Sequence, residues 1–263
     1  MRTLLNAIIV VLIPVAGFVA LRRIGLTGAS GAFLIFVTTA VLFVWAGKQD
    51  SRANQLRLQK GAASFGFLPA GRDDVPLSIE PLRGNGWVAA AAGGELRGLQ
   101  GWIFDYCIPD RGSAESQRNV NQTVVAFRVD DANLPKFQIR PLDSSTSIFD
   151  YPRWKNFDGS WENSDDTVCF PDALQFHRRF EMMSIGEEGV RQLFNAKLLD
   201  TIAALNDCNC VIKGYYTTIL FFTPDKILRP AEYEPFARKG ADIAYAIFSA
   251  FSAEKRVMAA AAK

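Results

Sequence analysis

Two stretches near the amino terminus, Leu4 to Leu21 and Ser30 to Gly47, each run for 18 residues without a single charge. As helices they would span roughly 27 Å, close to the hydrocarbon core of a bilayer, about 30 Å. Asn6, Pro14 and Gly17 interrupt the first run and Thr38 and Thr39 the second. Such uncharged breakers are tolerated in membrane helices when neighbours satisfy the backbone. Arg22 to Ala29 joins the runs, short enough to turn them into an antiparallel hairpin. Trp45 ends the second run, at the depth where aromatic side chains favour the interface.

The hairpin reading has two competitors. Met1-Arg2 followed by an apolar run also opens a signal peptide, but Gly17-Phe18-Val19-Ala20 lacks the small-x-small cleavage pattern. A buried helical hairpin inside a soluble core is the other. Basic flanks set the orientation of a membrane hairpin. Arg2, Lys48, Arg52, Arg57 and Lys60 lie on one side, against Arg22 and Arg23 on the other. Both termini are therefore expected in the cytoplasm, with the inner membrane as the location and the lipid bilayer as the first partner.

The rest of the chain is long enough for one well-cored domain. Lys and Arg number 29 against 27 Asp and Glu, a net charge of +2, which lacks the basic excess of a nucleic-acid binder. Four scattered cysteines, Cys107, Cys169, Cys208 and Cys210, do not make a disulfide scaffold, and a cytoplasmic domain would keep them reduced.

After the hairpin, Ala53, Leu56, Lys60 and Ala63 share a face at helical spacing, which predicts a juxtamembrane helix ending near Gly66. From Trp87 the period becomes two. Gly93-Gly94 is a plausible tight turn between two strands. In the next strand Trp102, Phe104, Tyr106 and Ile108 share one face, with Asp105 and Cys107 opposite. Thr123, Val125, Phe127 and Val129 alternate with Arg128 and Asp130, and Phe137 and Ile139 with Gln138 and Arg140. These strands follow one another through short turns, the pattern of a meander and not of βαβ units. Gln175 to Met183 reads as a further strand. Ser184-Ile185-Gly186-Glu187 matches a capping box, opening one helix to about Leu205 on the stripe Val190, Phe194, Leu198 and Ile202. Cys210–Tyr216 and Thr218–Thr223 are expected to pair. A last helix from near Ala231 covers the sheet with Phe236, Ile243, Ile247, Phe248 and Phe251.

The expected fold is thus α+β: a transmembrane two-helix hairpin, then a mainly antiparallel sheet packed by a middle and a C-terminal helix. The expected divisions are a hairpin at 1–47, a juxtamembrane helix and linker at 48–75, a soluble domain at 76–255 and a tail at 256–263.

Phe104-Asp105-Tyr106, Gln122-Thr123-Val124, Leu134-Pro135-Lys136-Phe137 and Val190-Arg191-Gln192-Leu193-Phe194 resemble an uncharacterised bacterial family of membrane-anchored proteins, over roughly Gly93 to Asn195. The resemblance implies an anchor plus a soluble α+β domain. It brings no activity and no catalytic residues.

The chemistry-bearing residues are sparse. His177 is the sole histidine, and beside Arg178 and Arg179 on a strand-like segment it reads as a surface residue. Cys208-Asn209-Cys210 lacks the spacing and the second pair of a zinc site. Asp150, Asp158, Glu162, Asp165 and Asp166 cluster with Trp154 and Trp161 in one irregular stretch, the best ligand candidate in the chain. That stretch also repeats Ile-Phe-Asp-Tyr, found at Ile103 to Tyr106 and again at Ile148 to Tyr151, in unrelated flanks. No phosphate loop, nucleophile elbow or His-Glu-x-x-His is present. The reading is therefore a non-catalytic binding or interaction module on the cytoplasmic face, without cofactor or metal. Its alternatives are a membrane-bound hydrolase or transferase using carboxylates such as Asp105, and an extracytoplasmic sensor if the hairpin is inverted.

Overall fold

The computed structural model describes Val37 and residues 52–75, 86–108, 120–130, 132–142, 166–184, 186–207 and 209–261. Apart from Val37, the two uncharged runs lie outside the described residues. Among the described residues no helix is long and apolar enough to cross a membrane. The chain divides into two compact units, Met1–Leu56 and Arg57–Lys263. In the first, Val37 and residues 52–56 are helical.

The second unit is α+β. Residues 57–63 of the helix over 52–63, here α1, lead to strand β1 (Leu68–Pro69). Strands β2 (Trp87–Leu96), β3 (Leu99–Ile108), β4 (Val120–Arg128) and β5 (Leu134–Pro141) follow, then the short β6 (Asp166–Thr167). Helix α2 (Leu174–His177) precedes β7 (Phe180–Ser184), and helices α3 (Glu187–Leu193) and α4 (Ala196–Leu205) come next. Strands β8 (Val211–Tyr216) and β9 (Thr218–Phe222) form a hairpin, and α5 (Pro230–Ala261) closes the domain. The nine strands make one sheet in the order β1-β2-β3-β4-β9-β8-β5-β7-β6, antiparallel throughout.

The alternation read in the sequence decides which residues meet the helices. On one face Ala90, Ala92, Ile103, Val125, Phe127, Phe137, Ile139, Ile212, Ile219 and Phe221 join the main core with Leu58 and Ala62 of α1 and Ile243, Ile247 and Phe248 of α5. Helix α5 lies on β3, β4 and β9 and touches α3 and α4. On the other face Val88, Ala91, Trp102, Phe104, Tyr106, Val124, Ala126, Leu220 and Phe222 form a second apolar cluster with Val75. Both faces of β3 and β4 are therefore dry, so a polar side chain there meets protein and not water.

Several local expectations change in the structure. Ala53, Leu56, Lys60 and Ala63 are all exposed; α1 packs through Leu58, Gly61 and Ala62, with Phe65 just beyond it. The turn of the first hairpin is Arg97-Gly98, both at positive φ (54° and 72°), and Gly93-Gly94 lies inside β2. A Cβ on Gly94 would come within 2.4 Å of the Phe67 ring, so the glycine makes room where a turn was expected.

Residues 174–177 are helical, and only Phe180–Ser184 is a strand. The middle helix is two helices, broken at Phe194-Asn195. Ser184 belongs to β7 and donates to the Lys136 carbonyl at 2.7 Å, while the N-cap of α3 is Gly186. Asn195 is the side chain that caps, accepting from the Leu198 amide at 2.9 Å. A Glu reaching back to its N-cap does occur, but at α5, where Glu232 accepts from the Arg229 amide at 2.8 Å. Ser-x-x-Glu failed as a signal because β7 needed Ser184 to tie it to β5.

Candidate functional site

Polar side chains buried in a dry core are the informative ones, and two of them, Asp105 and Thr123, meet under α1. Asp105 of β3 stands opposite Thr123 of β4. Both face the helix layer, beside Ile103 and Val125 and next to the Cys107–Asn121 pair. Thr123 donates to Asp105 Oδ1 at 2.7 Å, and its oxygen accepts the Leu228 amide at 3.0 Å. Its own backbone amide donates to the Lys226 carbonyl at 2.9 Å, so the segment leading into α5 is pinned to β4. Arg57 of α1 reaches over from the rim and donates through Nη2 to Asp105 Oδ2.

Tyr233, in the first turns of α5, completes the group. It is fully buried and its ring lies against α1, where a Cβ on Gly61 would sit 2.4 Å from the ring. Among the described residues neither the Tyr233 hydroxyl nor Arg57 Nε has a hydrogen-bond partner. Burial pushes the Asp105 carboxyl above its ordinary pKa, against the opposing pull of the Thr123 hydrogen bond and the Arg57 charge. Tyr233 is pushed up to about 12, first by burial and then by the Asp105 charge. Cys107, two residues along β3, has its thiol raised by burial and by Asp105, which keeps it protonated and a poor nucleophile.

Chemically this arrangement is closed. Both Asp105 oxygens are taken, Asp105 is almost wholly buried, and an Arg⁺ faces it. A general base or nucleophile must come within hydrogen-bond reach of substrate, and Asp105 is too deeply buried for that.

The acidic stretch stands elsewhere. Asp150, Asp158, Glu162, Asp165, Trp154 and Trp161 lie outside the described residues, as does the second Ile-Phe-Asp-Tyr. Asp166 is described, on β6, six strands from β3 in the sheet order, on the order of 30 Å at the usual strand spacing. Asp105 and Asp166 are therefore not brought together.

His177 is on a helix and not on a strand. It is half-buried at the end of α2, edge-on to Phe176, and its Nε2 accepts the Phe170 amide at 3.0 Å. Cys208 lies outside the described residues. Cys210 is buried with its Sγ 3.1 Å from Thr223 Oγ1, and Asn206 grips its backbone at both N–H and C=O, each at 2.8 Å. Among the described residues Cys107, Cys169 and Cys210 form no disulfide. Among the described residues no three His, Cys, Asp or Glu side chains group as metal ligands. A shallow depression lined by Glu187, Glu188, Arg191 and Gln192 is an open helix surface, with Arg191 paired to Glu187 one turn away.

In the sequence Arg57 stands out only as a basic flank, Thr123 only as a strand position, and Tyr233 not at all. Two signals pointed at them: Thr123 and Asp105 each interrupt an apolar face of a strand, and a buried carboxylate requires a cation from elsewhere.

No family model matches the chain, and no curated protein matches it. Among solved structures the chain is similar to the mycobacterial trehalose monomycolate transport factor A, TtfA. The identity is 16%, the match covers 72% of this chain and 92% of that one, and the TM-score is 0.44. At that identity and score the likeness carries nothing over to this chain.

Proposed function

We propose that the protein is a membrane-tethered, non-catalytic binding or interaction module whose domain faces the cytoplasm. The observation that supports the non-catalytic part is the burial of Asp105, with Arg57 and Thr123 each bonded to one of its oxygens, which holds substrate away from the carboxylate an enzyme reading would use. The tether rests on the two uncharged runs, and the side on the basic excess of Arg2, Lys48, Arg52, Arg57 and Lys60 over Arg22 and Arg23. The resemblance to membrane-anchored bacterial proteins belongs to the same proposal. So does ligand contact through Asp150, Asp158, Glu162, Asp165 and Asp166 with Trp154 and Trp161.

Fusions after Lys263 test the side: a fluorescent protein should glow and alkaline phosphatase should stay inactive. An active phosphatase would move the domain outside and favour the sensor alternative. Full-length protein in detergent tests the chemistry against a broad hydrolase and transferase panel. Turnover that disappears in Asp105→Asn would overturn the non-catalytic reading.

A further inference from the structure

The helical face that the spacing of Ala53, Leu56, Lys60 and Ala63 marks is the one the domain leaves uncovered. At 3.6 residues per turn, Leu56 and Lys60 lie on the side of α1 opposite Leu58 and Ala62. Leu58 and Ala62 are fully buried, whereas Leu56 is 56% exposed, with Ala53, Lys60 and Ala63 exposed beside it. Arg52 is exposed on the same arc. Leu68, on the outermost strand β1, is 71% exposed. Charge is one-sided along this stretch. From Arg52 to Gly71 the chain carries the cations Arg52, Arg57 and Lys60 and no acid, in a protein whose 29 Lys and Arg are nearly balanced by 27 Asp and Glu. Arg57 turns inward to Asp105, so Arg52 and Lys60 are the cations on the outer arc. Asp73 and Asp74 follow, and Asp74 Oδ2 accepts the Gly71 amide at 2.6 Å.

Chain position and charge name the occupant of this arc. Only Lys48 to Ser51 separate Gly47, the end of the second uncharged run, from Arg52. A helix arc that mixes leucine and alanine with Lys and Arg suits the headgroup layer of a bilayer. There the apolar side chains meet the acyl boundary and the long cationic stems reach the phosphates. Each Lys or Arg close to an anionic leaflet strengthens binding by roughly a factor of five. Two cations and one leucine are too few to hold a free protein, but a tether replaces free association with a high effective concentration.

We propose that the outer arc of α1, formed by Arg52, Ala53, Leu56, Lys60 and Ala63, docks on the anionic lipid surface of the membrane that tethers the chain. The helix then presents one face to the sheet and the other to the headgroups, which sets how the domain is displayed. This docking rests on the membrane tether and adds to it a second contact that depends on lipid charge.

The test uses the full chain in lipid nanodiscs of phosphatidylcholine, with or without phosphatidylglycerol, read by amide hydrogen exchange. With phosphatidylglycerol at low salt, residues 52–63 should exchange about fivefold more slowly than in phosphatidylcholine alone. Strand β7, toward the opposite end of the sheet order, should exchange alike in both. The difference should vanish at about 0.5 M salt, where charges are screened within a few ångströms. It should vanish too when Arg52→Gln and Lys60→Gln are combined, both at exposed positions where the fold does not depend on the charge. Alkaline carbonate extraction of native membranes reads the tether by itself. A chain that carbonate retains, but whose α1 exchanges alike in both lipids, overturns the docking and leaves the tether standing. A chain that carbonate releases has no tether, and the docking falls with it. Equal protection of α1 in both lipids and in detergent would show that protein, such as a second copy, covers the arc, and would overturn the docking as well.

Discussion

Thr123 and Asp105 face each other across β4 and β3, and one hydroxyl both donates to the carboxylate at 2.7 Å and accepts the Leu228 amide at 3.0 Å. The hydroxyl therefore couples a sheet carboxylate to the segment that starts the last helix. Because burial raises the Asp105 pKa despite these partners, proton uptake favours the folded state. Stability from this group is full below the unfolded value of about 3.9 and is lost as pH rises through the raised folded value. Asp105→Asn should therefore gain on the wild type between about pH 4 and neutrality. Urea midpoints of both proteins across that range measure it. A constant difference would show that the pair cancels its desolvation, and one running the other way that it outweighs it.

Asn195 caps α4 by accepting the Leu198 amide at 2.9 Å, whereas Gly186 at the start of α3 has no side chain to cap with. Asn195→Ala should cost about 1 kcal/mol. Gly186→Ala should change little, since φ there is −137° and no atom lies within 4 Å of an added Cβ. Thermal melts of the two variants make the comparison. Equal losses would mean that the Asn195 bond contributes nothing to the helix.

Gly214 of β8 pairs with Phe137 of β5, and a Cβ on it would fall 2.0 Å from the Phe137 ring. That ring is itself held edge-on to Phe194 at 4.8 Å, so it has little freedom to move aside. Gly214→Ala should cost about 1–3 kcal/mol through overpacking. Adding Phe137→Leu should recover part of the loss. Calorimetry on the single and double variants decides it, and a double variant worse than the sum of its parts would locate the strain elsewhere.

Phe248 of α5 is 5% exposed within the main core. Phe248→Asp would bury an unpaired carboxylate against the sheet, a cost on the order of several kcal/mol that a domain of ordinary stability does not survive. Loss of cooperative unfolding by circular dichroism is the expected result. A wild-type melting temperature would mean that α5 is dispensable to the core.

Much of the architecture follows from periodicity alone. The period-two rows Trp102-Phe104-Tyr106 and Thr123-Val125-Phe127 assigned strands and sorted their faces, since successive strand residues must point to opposite sides. The stripe of α5 was legible for the matching reason at period 3.6. The α+β class, the antiparallel sheet and the helix that covers it were thus determined by the chain's local pattern. What the pattern could not supply was the partner of each face. Ala53, Leu56, Lys60 and Ala63 have helical spacing yet stay exposed; the helix packs by its other face, where Gly61 has no side chain and the Tyr233 ring lies close. Gly93-Gly94 carries turn chemistry but serves packing, because Phe67 and Trp102 occupy the space where Cβ atoms would be. Ser184 has the sequence of a cap but is used by β7. Above all, joining Arg57, Asp105, Thr123 and Tyr233 required four elements to converge from across the chain. Burial of a charge is a property of that convergence: Asp105 faces α1 and α5 instead of water only because helices cover that face of the sheet, and no local spacing encodes which cation will arrive.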